Sequence, residues 1–131
     1  MIVLDTSAVI AILKEEAEER HFVDVIVEAE RCFLSAVGYF EASMVIIGRG
    51  VPSAADALDA LVRRRGIEIV PFDDDLALGS RAAFIRFGKG RHPAGLNFGD
   101  CVSYALARSR GLPLLYKGTD FAKTDVISAS G

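Results

Sequence analysis

Four acidic side chains stand where an α/β chain can turn them to chemistry: Asp5, Glu41, Asp100 and Asp120. Asp5 follows the apolar run Ile2-Val3-Leu4 and precedes the apolar segment Ala8 to Leu13, so it falls at the joint between a short buried strand and a helix. Ligands of open α/β sheets bind in the crevice beyond the strand carboxyl ends, which is where that joint lies. Asp120 comes just past a second strand end, in Lys117-Gly-Thr-Asp120-Phe after Leu112-Pro-Leu-Leu-Tyr116. Glu41 falls inside a helical apolar stripe, between Val37 and Met44, and Asp100 lies in the first turn of the helix opened by Leu96-Asn-Phe-Gly-Asp100. Carboxylates gathered in one crevice without a cation raise one another's pKa, so such a cluster implies a bound metal. Oxygen donors with no Cys or His pair select a hard ion, Mg2+ or Mn2+, over Zn2+. Mg2+ takes only one or two protein carboxylates and leaves room for a phosphate, the arrangement for metal-assisted phosphodiester hydrolysis.

Each acid also has a structural reading. Asp5 is placed to be an N-cap, although the Thr6 and Ser7 hydroxyls offer caps to the same helix. Glu41 at the edge of its stripe could extend to solvent. Asn97 with Asp100 three residues on has the pattern of a capping box. The run Asp73-Asp74-Asp75 looks like a metal site, but acids at a helix start are what capping and the helix dipole favour. Gly88-Lys-Gly-Arg-His-Pro-Ala-Gly95 is the loop dense in both glycine and positive charge. It lacks Walker A spacing, so nucleotide-triphosphate binding is unsupported, while Lys89, Arg91 and His92 are candidates to hold a phosphate backbone. His92 as a general base competes with His92 as an exposed bystander.

The elements that must position these groups alternate between strand and helix. Strands are expected at Ile2–Leu4, Cys32–Leu34, Ile67–Phe72 and Leu112–Tyr116, with a last short one at Asp125–Ile127. Between them, Phe22, Ile26 and Ala29 mark one amphipathic helix. Ser35 caps another that runs to about Gly48, with apolar positions Val37, Phe40, Met44, Val45 and Ile47. After a turn at Gly48–Pro52, Ser53 caps a helix carrying Leu58, Leu61 and Val62 toward Gly66. Leu76, Ala83, Phe84 and Phe87 mark the next, and the helix from Asn97 ends near Gly111. Such alternation predicts an α/β fold: a mostly parallel sheet of four to five short strands with helices on both faces, in one domain spanning 1–131.

Composition fits that expectation. A chain of 131 residues, 51% hydrophobic and 25% charged, is long enough to bury roughly two-thirds of its unfolded surface in one core. No apolar run approaches the roughly 20 residues of a membrane span and no basic leader precedes the first strand, so a cytoplasmic protein with no membrane partner is expected. Cys32 and Cys101 lie in apolar surroundings and read as reduced core thiols. The net charge of −3 conceals an asymmetry: residues 1–30 balance to −6 and residues 81–123 to +6. A polyanion could meet a basic surface on this acidic chain, unless the charges are scattered over solvated faces.

The opening IVLDTSAVIAIL, Glu41 within SAVGYFEASMVI, the segment GLNFGDCVSYALA and the tail LLYKGTDF together resemble the PIN-domain ribonucleases, in particular VapC-type toxins of bacterial toxin–antitoxin pairs. The resemblance spans essentially the whole chain. It implies a PIN-like fold and a Mg2+-dependent endoribonuclease acting on RNA, tRNA included. It also implies a homodimer held inactive by a VapB-type antitoxin. Asp5, Glu41 and Asp100 match the family's metal-binding acids, and Thr6 or Ser7 a hydroxyl position beside them. The fourth acid departs from the pattern: many PIN domains carry it two residues beyond a Thr or Ser, where Lys117 and Thr119 stand here. Asp120 is one residue further on, and Asp125 competes with it. Asn97 and Lys117 are supporting positions. Two other classes remain. A response-regulator-like signalling domain would use Lys117 after a late strand, yet the acidic pair and the phosphorylatable Asp it needs are missing. A non-catalytic binding domain would keep only the fold.

Overall fold

The computed structural model describes residues 1–50 and 53–131, so Val51 and Pro52 of the expected turn lie outside the described residues. Four short strands, β1 (Ile2–Leu4), β2 (Cys32–Ser35), β3 (Glu68–Val70) and β4 (Leu114–Leu115), form a sheet in the order β3-β2-β1-β4 with every pairing parallel. Parallel neighbours require long crossovers, and helices supply them. The first crossover holds α1 (Thr6–Leu13) and α2 (Glu19–Glu28), the second α3 (Ala36–Ile47) and α4 (Ala54–Arg65), and the third α5 (Asp74–Phe87) and α6 (Phe98–Arg110). Successive strand residues serve opposite cores: Ile2, Leu4, Cys32, Leu34 and Leu115 pack under α1 to α4, while Val3, Phe33, Val70 and Leu114 pack under α5 and α6. A sheet covered on both faces needs apolar side chains at each position, hence the continuous apolar runs.

Pairing makes neighbours of the two strand ends that carry acids. Leu4 stands opposite Leu115, and the Asp5 N–H donates to the Leu115 carbonyl at 2.9 Å. Helix starts are fixed by side chains: Ser35 Oγ accepts from the Gly38 N–H at 2.8 Å to begin α3, and Asp73 accepts from the Leu76 N–H at 2.9 Å to begin α5. The triple-Asp run is therefore a helix start. Gly66 and Gly111 end α4 and α6 at φ of 61° and 63°, the left-handed region where a Cβ is costly.

Three expectations need correction. The buried side of α3 is Gly38, Ala42 and Ile46, while Phe40, Met44, Val45 and Ile47 are exposed and Val37 is only partly buried. Close approach explains this: a Cβ on Gly38 would stand 3.0 Å from Leu34 Cδ1 and 3.2 Å from Thr6 Oγ1, so only small residues let α3 lie against α1 and β2. Asp125–Ile127 is not a strand; a 3-10 turn at Phe121–Lys123 is followed by a single bridge between Leu114 and Ser128. β4 is two residues long, and Leu114 already gives its N–H to the Ile127 carbonyl and its carbonyl to the Ala129 N–H. Ser53 precedes α4 without a capping bond from its side chain. Among the described residues no helix is long and apolar enough to cross a membrane.

Candidate functional site

Asp5 is the N-cap of α1 and is only 3% exposed. Its Oδ2 accepts from the Ser7 N–H at 3.0 Å and from Ser7 Oγ at 2.6 Å. Thr6 and Ser7 lie inside the helix rather than capping it, because Asp5 takes the cap. Their hydroxyls tie elements together instead. Thr6 Oγ1 donates to the Gly38 carbonyl at 3.3 Å, joining α1 to the first turn of α3, and Ser7 Oγ accepts the Lys117 N–H at 3.0 Å. Through Ser7, the turn that leaves β4 and carries Asp120 is fastened to Asp5.

At the start of α6 the capping box is complete. Asn97 Oδ1 accepts from the Asp100 N–H at 2.9 Å, and Asp100 Oδ2 accepts from the Asn97 N–H at 3.0 Å. Between them Gly99 makes room for a visitor from α3. A Cβ there would meet Glu41 Oε1 at 2.6 Å and Oε2 at 2.7 Å, so the half-buried Glu41 carboxylate rests against the first turn of α6. The amide ends of a helix N-terminus favour an anion in that position. Sequence reasoning missed this role of Gly99, whose only signal was its place beside Asp100.

Asp100 senses the other three acids. Burial, then the negative charges of Asp5, Glu41 and Asp120, push its carboxyl up to about 6, against the opposing pull of the Asn97 N–H. The structure thus brings Asp5, Glu41, Asp100 and Asp120 to one rim, at the ends of β1 and β4. Among the described residues none of the four has a salt-bridge partner. An all-oxygen set with unbalanced negative charge fits a hard divalent cation. Among the described residues no three His, Cys, Asp or Glu side chains stand close enough together to hold a metal ion as they are placed.

Other proposed residues are employed elsewhere. Asp125 takes a hydrogen bond from the Tyr104 hydroxyl and lies between Arg86 at 3.1 Å and Arg108 at 3.6 Å, and the Tyr104 bond is the first of the causes that lower its pKa. It is not among the charges acting on Asp100, whereas Asp120 is. His92 Nδ1 accepts the Ala94 N–H at 3.0 Å, and its ring meets Phe87 edge-on with centroids 4.9 Å apart. Arg91 donates to the Ile85 carbonyl at 3.1 Å, and the Lys89 N–H to the Leu96 carbonyl at 3.0 Å. None of Lys89, Arg91 and His92 bonds to an acid of the rim or acts on Asp100. The Lys117 ammonium turns to Glu16 and Glu18 rather than toward Asp5, contrary to what a response-regulator-like site requires.

Comparison with known proteins shows the family. Residues 2–127 match the PIN domain family. The chain is 44% identical to ribonuclease VapC28 of Mycobacterium tuberculosis over 126 residues, 95% of each chain. Its fold is similar to that of Mycobacterium tuberculosis VapC20, described as a sarcin-ricin loop cleaving toxin, with a TM-score of 0.79, 18% identity and 97% of each chain covered. A toxin–antitoxin complex from Klebsiella pneumoniae contains a chain of similar fold, with a TM-score of 0.76, 17% identity and coverage of 100% of this chain and 98% of that one. The chain belongs to the PIN domain family, among its VapC ribonucleases.

Proposed function

We propose that this protein is a Mg2+-dependent endoribonuclease toxin that hydrolyses RNA phosphodiester bonds and is neutralised by a VapB-type antitoxin. The observation that carries the reading is the meeting of four carboxylates from separate parts of the chain at one strand rim, with no protein cation paired to them among the described residues. Asp5, Glu41, Asp100 and Asp120 would hold the ion. Bound Mg2+, with Mn2+ as substitute, supplies charge neutralisation at the phosphate and acidifies the attacking water. The chain's own groups do the positioning: Ser7 holds one oxygen of Asp5, the Asn97 N–H holds one oxygen of Asp100, and Gly99 leaves space for Glu41. Ligand carboxylates must be ionised. Asp100, pushed up to about 6, has to release its proton first, so Mn2+ binding measured by calorimetry weakens as the pH falls through about 6.

The test is cleavage. Losing a metal ligand removes several kcal/mol of transition-state stabilisation, so Asp5→Asn and Asp100→Asn each lower Mg2+-dependent RNA cleavage by roughly a hundredfold or more and relieve growth arrest on expression. Undiminished cleavage by both folded variants overturns the reading. The likeness to a chain of a toxin–antitoxin complex supports an antitoxin partner, which co-purification of a small protein encoded beside this chain would check.

A further inference from the structure

A nuclease site needs positive charge for the phosphate as well as negative charge for the metal, and at this rim the chain has turned its cation aside. Lys117 is the second residue after β4, whose last residue Leu115 pairs with Leu4 of β1, and it comes three residues before Asp120. Its N–H binds Ser7 Oγ, which in turn binds Asp5 Oδ2, so its backbone is one hydroxyl removed from the rim. The ammonium nevertheless points back to the connection between α1 and α2, 3.3 Å from Glu16 Oε1 and 3.3 Å from Glu18 Oε1.

That bracket is loosely made. Both separations exceed the roughly 2.7–2.9 Å of strong charge-assisted bonds, and the Lys117 side chain is 37% exposed. Ion pairs open to water contribute little and exchange partners readily. Glu18 Oε1 is buried without a hydrogen-bond partner among the described residues, so its interaction with the ammonium rests on charge. The connection itself is strained, with Glu15 at φ 53°. One cation shared by two acids leaves the bracket with net negative charge.

From this geometry we infer that Lys117 is the phosphate-binding cation of the site, held off the rim by Glu16 and Glu18 until RNA arrives. The inference rests on the nuclease reading above, and it assigns the substrate contact to a residue outside the glycine-rich basic loop.

Binding in EDTA of a short, fluorescein-labelled, mixed-sequence single-stranded RNA separates this role from a structural one. Lys117→Met weakens binding several-fold and reduces the magnitude of the log–log salt slope by about 0.7, the signature of one lost single-strand phosphate contact. Lys117→Arg retains both. Glu16→Gln with Glu18→Gln frees the ammonium and tightens binding, and that gain disappears when Lys117→Met is added. A simple clamp predicts the opposite sign, so weaker binding in the double Gln variant overturns the inference. A gain that persists in the triple variant also overturns it, since net charge alone would then be responsible. Wild type that neither binds nor cleaves RNA overturns the nuclease reading as well, and shows this before any variant is compared.

Discussion

Gly99 shows how one absent methyl group shapes the site. Alanine there would collide with the end of the Glu41 side chain, which can swing aside, and not with fixed backbone. Since alanine also favours helix over glycine by up to about 1 kcal/mol, Gly99→Ala should fold at least as stably as the parent while losing metal-dependent cleavage by tenfold or more. Melting curves and cleavage rates on the same preparation check both halves. Asp100 makes a second prediction. Its carboxyl is raised from 3.8 to about 6 in the folded chain, so between those values the folded state binds more protons than the unfolded one, and stability falls as the pH rises. Asp100→Asn retains an oxygen for the Asn97 N–H and removes the repulsion. The metal-free variant should melt about 2–5 °C above the parent at pH 7.5 and show no such gain at pH 4. The acids themselves were legible in the sequence, because a strand end and a helix start mark Asp5, Asp100 and Asp120. The partners of Asp125 were not, because they depend on where Tyr104, Arg86 and Arg108 come to rest.

At the scale of elements, the site depends on parts being tied at their ends. β1 and β4 carry Asp5 and the Asp120 turn, and Ser7 Oγ is the side-chain link between them. Ser7→Ala removes a donor to Asp5 and an acceptor for Lys117, a loss of about 1 kcal/mol by the usual net worth of such bonds. Because it also loosens the Lys117–Asp120 turn, cleavage should fall by about tenfold, whereas Ser43→Ala, which removes a helical hydroxyl bond to the Tyr39 carbonyl, should leave the rate near that of the parent. Strand positions could be read from sequence because burial on both faces leaves continuous apolar runs. The packing side of α3 could not. Apolar periodicity weights large residues, yet Gly38 and Ala42 set this helix against α1 and β2, so Phe40, Met44 and Ile47 point outward and Glu41 stands at the border of the buried face.

For the molecule as a whole, part of the basic charge between residues 81 and 123 is turned to partners within the chain. Arg86 and Arg108 flank Asp125, and Arg110 lies over the Phe33 ring at 4.6 Å with Arg31 at 5.0 Å. Apolar side chains stand at the surface as well. Phe72, Phe84 and Phe98 are all exposed and line a cavity of about 310 Å3 together with Cys101 and Val102. Phe98 precedes the Gly99 that touches Glu41, and Phe40, which precedes Glu41, is exposed as well. Large exposed apolar patches mark interaction sites, and a second copy of the chain is the partner we propose for this one. Phe84→Glu would put an unpaired charge in the middle of that contact, where burial is costly. Sedimentation velocity at micromolar concentration should therefore give a dimer for the parent and a monomer for Phe84→Glu, with unchanged circular dichroism. A monomeric parent, or a variant that remains dimeric, would assign the face to another partner. Because the face begins beside Glu41 and Gly99, the monomeric variant also tests whether self-association supports the site, through its rate of RNA cleavage at equal metal occupancy.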